Sequence, residues 1–309
     1  MKKEKQNKAP RREYSHKSLQ IIEDNRMMFW DKYKFHNTLK FVVFLLCLAV
    51  IIASIVVKSK IGDTGFSGLL LIPAVIALCA AYGYAVFVRK KFDKKMKSYF
   101  ELYFTCINEY ALSEKGFSNV ELQKPGKITL EEFNECLLYK NVYEAGSRGL
   151  TTFKYNDTEM SIVDCAGNIK DAKRIRPVFV GKMVRAKASY KGEKPVIVYI
   201  KGNERSLPPT NLEGIKAQEE DTKMVVYSDY KDYKKVLTTD VRKALAALKT
   251  EEVLVDVAVC IYQSKVFIML GYDDPLMVLP LQNEFNPGPT EKYKKDIEAV
   301  AKLVEALNK

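Results

Sequence analysis

Two stretches of the chain carry no charged side chain at all: Phe41–Val57 (FVVFLLCLAVIIASIVV) and Phe66–Val88 (FSGLLLIPAVIALCAAYGYAVFV). A helix needs ~20 apolar residues to cross ~30 Å of hydrocarbon, so the pattern predicts two membrane spans. Lys40 and Lys58 lengthen the shorter one by reaching outward to the headgroups. The connection KSKIGDTG, residues 58–65, has turn chemistry at Gly62–Gly65. So short a link makes the spans an antiparallel transmembrane hairpin. The first run follows a long charged segment and a second run follows at once, which reads as a retained span rather than a cleaved leader.

Around the hairpin the periodicity changes. Residues 1–18 are polar and basic and read as a disordered tail. In 19–40, Leu19, Ile22, Met28, Phe29, Tyr33 and Leu39 recur at helical intervals, an amphipathic juxtamembrane segment that lies on the membrane surface or docks on the following domain. The second span continues as a helix to about Leu112. Residues 89–309 then read as one α+β domain with mainly antiparallel strands. A capping-box spacing at Thr129–Glu132 starts a short helix. Strand patterns cover 149–155, 159–165, 178–188, 195–200, 223–227, 253–262 and 265–271, with turns at Asn156-Asp157 and Gln263-Ser264. Helices cover 240–248 and 290–307, and the polar stretch 202–222 reads as a loop.

Charge fixes the orientation. The chain has 50 Lys+Arg against 38 Asp+Glu, a net +12, and the whole excess lies in residues 1–97. Basic residues crowd both outer flanks of the hairpin, so both termini are expected in the cytoplasm of a two-span cell-membrane protein. The folded part is neutral overall, which argues against nucleic acid as a partner. Arg89, Lys90, Lys91, Lys94 and Lys95 set the topology, and are also candidate contacts for anionic lipid headgroups. Ala49 and Ala53, then Ala77, Ala81 and Ala85, give the spans small-residue faces, suited to close packing within the hairpin or in a homo-oligomer. Neither span holds an Asp, Glu, Lys, Arg or His, so the hairpin reads as an anchor rather than a carrier.

Candidate chemistry is sparse. The two histidines, His16 and His36, both fall in the first forty residues, leaving no Cys-His or Ser-His pair for the domain. The six cysteines are scattered, as buried apolar residues of a reducing compartment would be, and no phosphate-binding, dinucleotide, hydrolase or metal motif occurs. No cofactor or metal is expected. Asp229, Asp232, Asp273 and Asp274 qualify as acid–base groups by type alone. Tyr227, Tyr230 and Tyr233 recur every three residues, either as a partner-recognition surface or as core packing at a strand end.

One resemblance emerges from the order of these features. After the hairpin come Phe133–Leu138 (FNECLL), Phe179-Val180-Gly181, Val226–Asp229 (VYSD), Val236–Thr239 (VLTT) and a Leu-rich helix, with a strand pair and a C-terminal amphipathic helix closing the chain. The chain resembles, over residues 40–305, the bacterial membrane family catalogued as domain of unknown function 3137. It departs from the family in carrying Thr239-Asp240 where a proline follows the Leu-Thr pair. The resemblance implies no catalytic residue and points to a LemA-type membrane protein as partner. The expected function is a non-enzymatic, membrane-anchored binding or scaffolding protein that recognises a protein or lipid. The alternatives are an accessory subunit of a transport or channel assembly, or a carboxylate-dependent hydrolase.

Overall fold

The computed structural model describes residues 14–61, 66–122, 128–139, 141–171, 174–200, 215–220, 222–248, 254–272 and 281–309. The turn expected at 62–65, most of the 202–222 loop, and Asp273 and Asp274 lie outside the described residues. The elements in chain order are α1 (Lys17–Ile61), α2 (Phe66–Ala111), β1 (Phe117–Leu122), α3 (Leu130–Asn134), β2 (Val142–Tyr155), β3 (Thr158–Asp171) and β4 (Arg174–Lys187). They continue with β5 (Val196–Ile200), β6 (Ala217–Glu220), β7 (Met224–Ser228), α4 (Tyr233–Val236), α5 (Thr239–Ala247), β8 (Leu254–Tyr262), β9 (Lys265–Tyr272) and α6 (Gly288–Leu307). The protein is thus a mixture of helix and antiparallel sheet with a long apolar N-terminal helix. The chain divides into two compact units.

The helical unit comprises 21–102 and 280–285. Within it, Phe29 stacks on Tyr99 at 5.0 Å and meets Phe92 edge-on, while the Tyr99 hydroxyl donates to the Ile22 carbonyl at 3.3 Å. The stripe predicted in 19–40 therefore continues straight into the apolar run as one helix, with Ile22 and Phe29 buried. Glu23 and Arg26 form a buried pair at 2.6 Å. Glu23 also accepts from the Phe285 amide and Arg26 donates to the Leu281 carbonyl, which straps 281–285 onto α1. Among the described residues, one helix is long and apolar enough to cross a membrane: Lys17–Ala53, whose most apolar window is only 6% buried.

The sheet unit comprises 103–279, 286–309 and the first twenty residues. Its described strands form a nine-stranded antiparallel sheet in the order β1-β2-β3-β4-β9-β8-β5-β7-β6. The central strands are apolar at consecutive positions because both faces are covered; every residue of β5 (VIVYI) is buried. On one face Tyr103–Ala111 of α2 and α6 cover Ile162, Val184, Ile268 and Leu270. On the other, the 128–139 segment covers Val163, Cys165, Phe179 and Met183. The β8–β9 turn has positive φ at both Gln263 and Ser264 (48° and 62°), the twist that a two-residue hairpin requires. The capping box at Thr129 is present, with Thr129 Oγ1 accepting from the Glu132 amide and Glu132 accepting from the Thr129 amide.

Three details differ from the sequence reading. The helix begins at Lys17, inside the stretch read as tail, because Ser18 is buried and donates to Glu109 at 3.1 Å. Ala217–Glu220 forms an edge strand within the stretch read as loop, held by pairing with β7. Phe117–Leu122 is a strand with no apolar alternation, ordered by its ladder to β2.

Candidate functional site

The register of five strands builds an open groove on the α3 side of the sheet. Glu121, Thr152, Ser161, Arg185 and Phe267 are successive cross-strand partners on β1, β2, β3, β4 and β9. A second row holds the paired Lys154 and Glu159, 3.7 Å apart, and the paired Lys187 and Lys265. These side chains share one face because directly opposed residues of antiparallel strands point the same way. The groove has a volume of about 520 Å³, with Glu135 at the end of α3 on its rim. It stays open because α3 is five residues long and the chain turns away through Leu137, at φ +58°.

The rim is held by ion pairs. Arg185 meets Glu132 at 3.2 Å and Lys265 meets Glu135 at 3.2 Å. The Glu132 carboxyl is held below its ordinary value, first by the Thr129 amide and then by Arg185. The Tyr262 hydroxyl donates to the Glu135 carbonyl at 2.6 Å, and burial, then the nearby Cys260 and Glu135, push it up to about 12, so it remains a donor. Three carboxylates (Glu121, Glu135, Glu159) and four cations (Lys154, Arg185, Lys187, Lys265) line the groove. Such a surface presents both charge signs within one open groove. The neighbouring sheet edge is a poor template for an added strand, because β1 bulges between Ser118 and Glu121 and Asn119 sits at φ +50°.

The opposite face of the same strands holds a buried polar centre. Lys182 and Asp164, 0% and 1% exposed, form an ion pair. Lys182 also donates to Asn108 Oδ1 at 3.1 Å, and the Tyr293 hydroxyl donates to the same oxygen at 3.0 Å. Asn108 Nδ2 donates to Thr151 Oγ1 at 3.1 Å. The ammonium lies 4.6 Å from the Tyr293 ring centroid. Gly149 makes the close approach feasible: it takes φ +67° beside a register shift in β2, and a Cβ there would sit 3.3 Å from Asp164 Oδ2. Burial, then the Asp164 and Asp296 charges, push the Tyr293 hydroxyl well above its ordinary value. This centre ties α2, β2, β3, β4 and α6 together through side chains that are almost wholly buried.

The residues singled out from sequence fall elsewhere. Arg89, Lys90, Lys91, Lys94 and Lys95 are all exposed on α2, Arg89 facing Asp93 at 4.0 Å. Tyr227, Tyr230 and Tyr233 do not form one row. Tyr227 packs edge-on against Tyr199, Tyr230 is half-buried against Tyr190, and Tyr233 is buried and donates to Glu219. Asp229 is exposed, and Asp232 pairs with Lys235 at 2.8 Å. Burial raises the thiols of Cys136, to about 12, and of Cys165 and Cys260, which removes them as nucleophiles. Among the described residues no group of His, Cys, Asp and Glu is placed to hold a metal ion.

Neither the groove nor the buried centre stood out in the sequence reading, yet a signal for both was present. Lys182 shares its parity with Val184, on the core side, whereas Arg185 and Lys187 have the parity of the groove.

No family model matches the chain, and no curated protein matches it. Among solved structures it is similar to the crystal structure of the mycobacterial trehalose monomycolate transport factor A, TtfA. The TM-score is 0.39 and the identity 8%, over 66% of this chain and 94% of that one. At that level the likeness assigns neither a fold family nor a function.

Proposed function

We propose that this chain is a membrane-anchored, non-enzymatic binding or scaffolding protein of a bacterial inner membrane. Its groove takes an extended, mixed-charge segment of a partner protein. The observation that carries the reading is the groove itself, an open floor of both charge signs on a sheet whose other face is closed by packed helices. The long apolar helix α1 supports the anchor. In this proposal the apolar part of α2 is a second span, the two form a transmembrane hairpin, and both termini lie in the cytoplasm. A LemA-type membrane protein is the partner implied by the family resemblance.

The test is co-purification. Full-length tagged protein, extracted from its native membrane in mild detergent, is expected to carry a stoichiometric protein. Arg185→Glu with Lys265→Glu is expected to release it while leaving the folded sheet unit intact by circular dichroism. A partner retained at full occupancy by that variant, or a clean preparation from the wild type, overturns the groove reading.

A further inference from the structure

We infer that α1 and α2 together form a basic collar, beside the ends of their apolar runs, that selects anionic phospholipid headgroups. Within the helical unit Phe29 lies against Phe92 and Tyr99, and Tyr33 lies 5.6 Å from Phe92. These ring contacts set 31–40 of α1 beside 89–97 of α2. The two stretches hold nine Lys and Arg against two acids, Asp31 and Asp93. All of these charged residues are exposed but Lys40, which is half-buried. The excess of positive charge is therefore carried by both helices at one level and is not cancelled there.

On α2, Met96 and Tyr99 are buried and Phe92 packs on α1, so the lysines take the remaining faces. Lys90 and Lys94 are neighbours one turn apart, as are Lys91 and Lys95, and Lys91 also stands three residues from Lys94. Like charges at these spacings repel one another along a helix. Asp93 is taken up by Arg89, at 4.0 Å. Among the described residues, Lys90, Lys91, Lys94 and Lys95 make no ion pair. Four ammonium groups that repel one another and have no carboxylate of their own are stabilised by anions from outside the chain.

The position of the collar says what those anions are. From the Tyr33–Phe92 contact, the charge-free run of α1 begins at Phe41 and that of α2 ends at Val88. At ~1.5 Å per residue these ends lie roughly 12 Å and 6 Å from the contact, within about one helical turn of each other. The lysines therefore start where the hydrocarbon ends, and long basic side chains reach back along the helix to phosphate. Trp30 stacks on Tyr33 at 5.6 Å, and the Lys34 ammonium sits 5.0 Å from the Trp30 ring centroid. Rings among cations are the composition of a membrane–water boundary. A soluble polyanion is the weaker fit, because Phe41, Phe44 and Phe87, all more than half exposed, adjoin the collar and need hydrocarbon rather than charge.

This inference rests on the membrane reading of α1 and α2, and one experiment separates the two. The full-length chain is reconstituted in phosphatidylcholine bilayers that carry a trace of spin-labelled phosphatidylcholine or spin-labelled phosphatidylglycerol. Electron paramagnetic resonance then reads the fraction of each label slowed by contact with the protein. Slowed lipid of either kind reports the spans, and the ratio of the two association constants reports the collar. One basic side chain at a membrane surface is worth about fivefold in binding, so phosphatidylglycerol is expected to be preferred by about that factor. Raising the salt from 0.1 M to 1 M shortens the screening length from ~10 Å to ~3 Å and should collapse the preference. Lys90→Gln, Lys91→Gln, Lys94→Gln and Lys95→Gln, made together, should remove most of it at low salt, and Arg at the same four positions should keep it. Equal association of the two lipids, or a preference untouched by the four Gln replacements, overturns the collar and leaves the spans standing. A preference abolished by inorganic phosphate but not by chloride at equal ionic strength assigns the lysines to free phosphate and overturns it as well. A chain that slows neither lipid removes both readings.

Discussion

The two faces of β3 and β4 use the same residue types under opposite conditions. On one face Lys182 and Asp164 are withdrawn from water as a pair, and Lys182 also donates to Asn108, which Tyr293 bonds as well. On the other, Arg185 and Lys187 stand in an open groove opposite Ser161 and Lys265. A buried pair must recover the desolvation of both ions through geometry, so breaking it leaves a charge stranded. A solvated pair recovers little and loses little. The difference separates what holds the domain together from what it can offer to a partner.

Removing one member of the buried pair sharpens that contrast most. Lys182→Met leaves Asp164 charged and unpartnered, and should cost about 3–5 kcal/mol in urea unfolding of the solubilised chain. Adding Asp164→Leu should return most of that loss, since the replacement removes both charges at once. A double variant as unstable as the single one would mean that the centre contributes more than its charge balance.

Next in size is the close contact at Gly181, where the pairing of β4 with β9 ends. Gly181→Ala presses a methyl group onto the Leu270 carbonyl and the Gly271 backbone. It should destabilise by about 1–3 kcal/mol and raise hydrogen exchange in β4 and β9 ahead of β2 and β3. Uniform exchange across the four strands would show that the methyl group does not loosen the β4–β9 ladder.

The groove should respond least. Arg185→Ala removes a partly exposed pair with Glu132, and should change stability by roughly 0–1 kcal/mol while weakening partner capture. The smallest effect concerns acid. Glu132 has its folded pKa held below the ordinary carboxyl value of 4.5. Its contribution is therefore present above that value and lost as pH falls through the lower folded one. Glu132→Gln should lower stability slightly at pH 7 and flatten its dependence on pH below about 4.5. An unchanged acid limb would mean that other carboxylates govern it.

Much of the fold was legible from local pattern. The capping box at Thr129, the helix at 290–307 and the β8–β9 turn at Gln263-Ser264 are each decided by residues close in the chain, and each is present. The edge strands β1 and β6 were not legible, because their order comes from a neighbour's ladder rather than from their own alternation. The tyrosines at 227, 230 and 233 show the same limit. Their spacing is regular, but a strand followed by a short helical turn sends the three rings to different surroundings.

The candidate site was legible only as parity. Alternation along β4 puts Lys182 on one side and Arg185 and Lys187 on the other, and that much is local. Which side is covered depends on where α2 and α6 pack, and which charges meet depends on strand register; both arise between segments distant in sequence. Sequence alone determined the apolar runs, the basic flanks around them and the alternating strands, since each follows from the chemistry of neighbouring residues. Tertiary structure alone decided that one lysine would be buried against Asp164 while its neighbours lined a groove, because burial is a property of what packs on a residue and not of the residue itself.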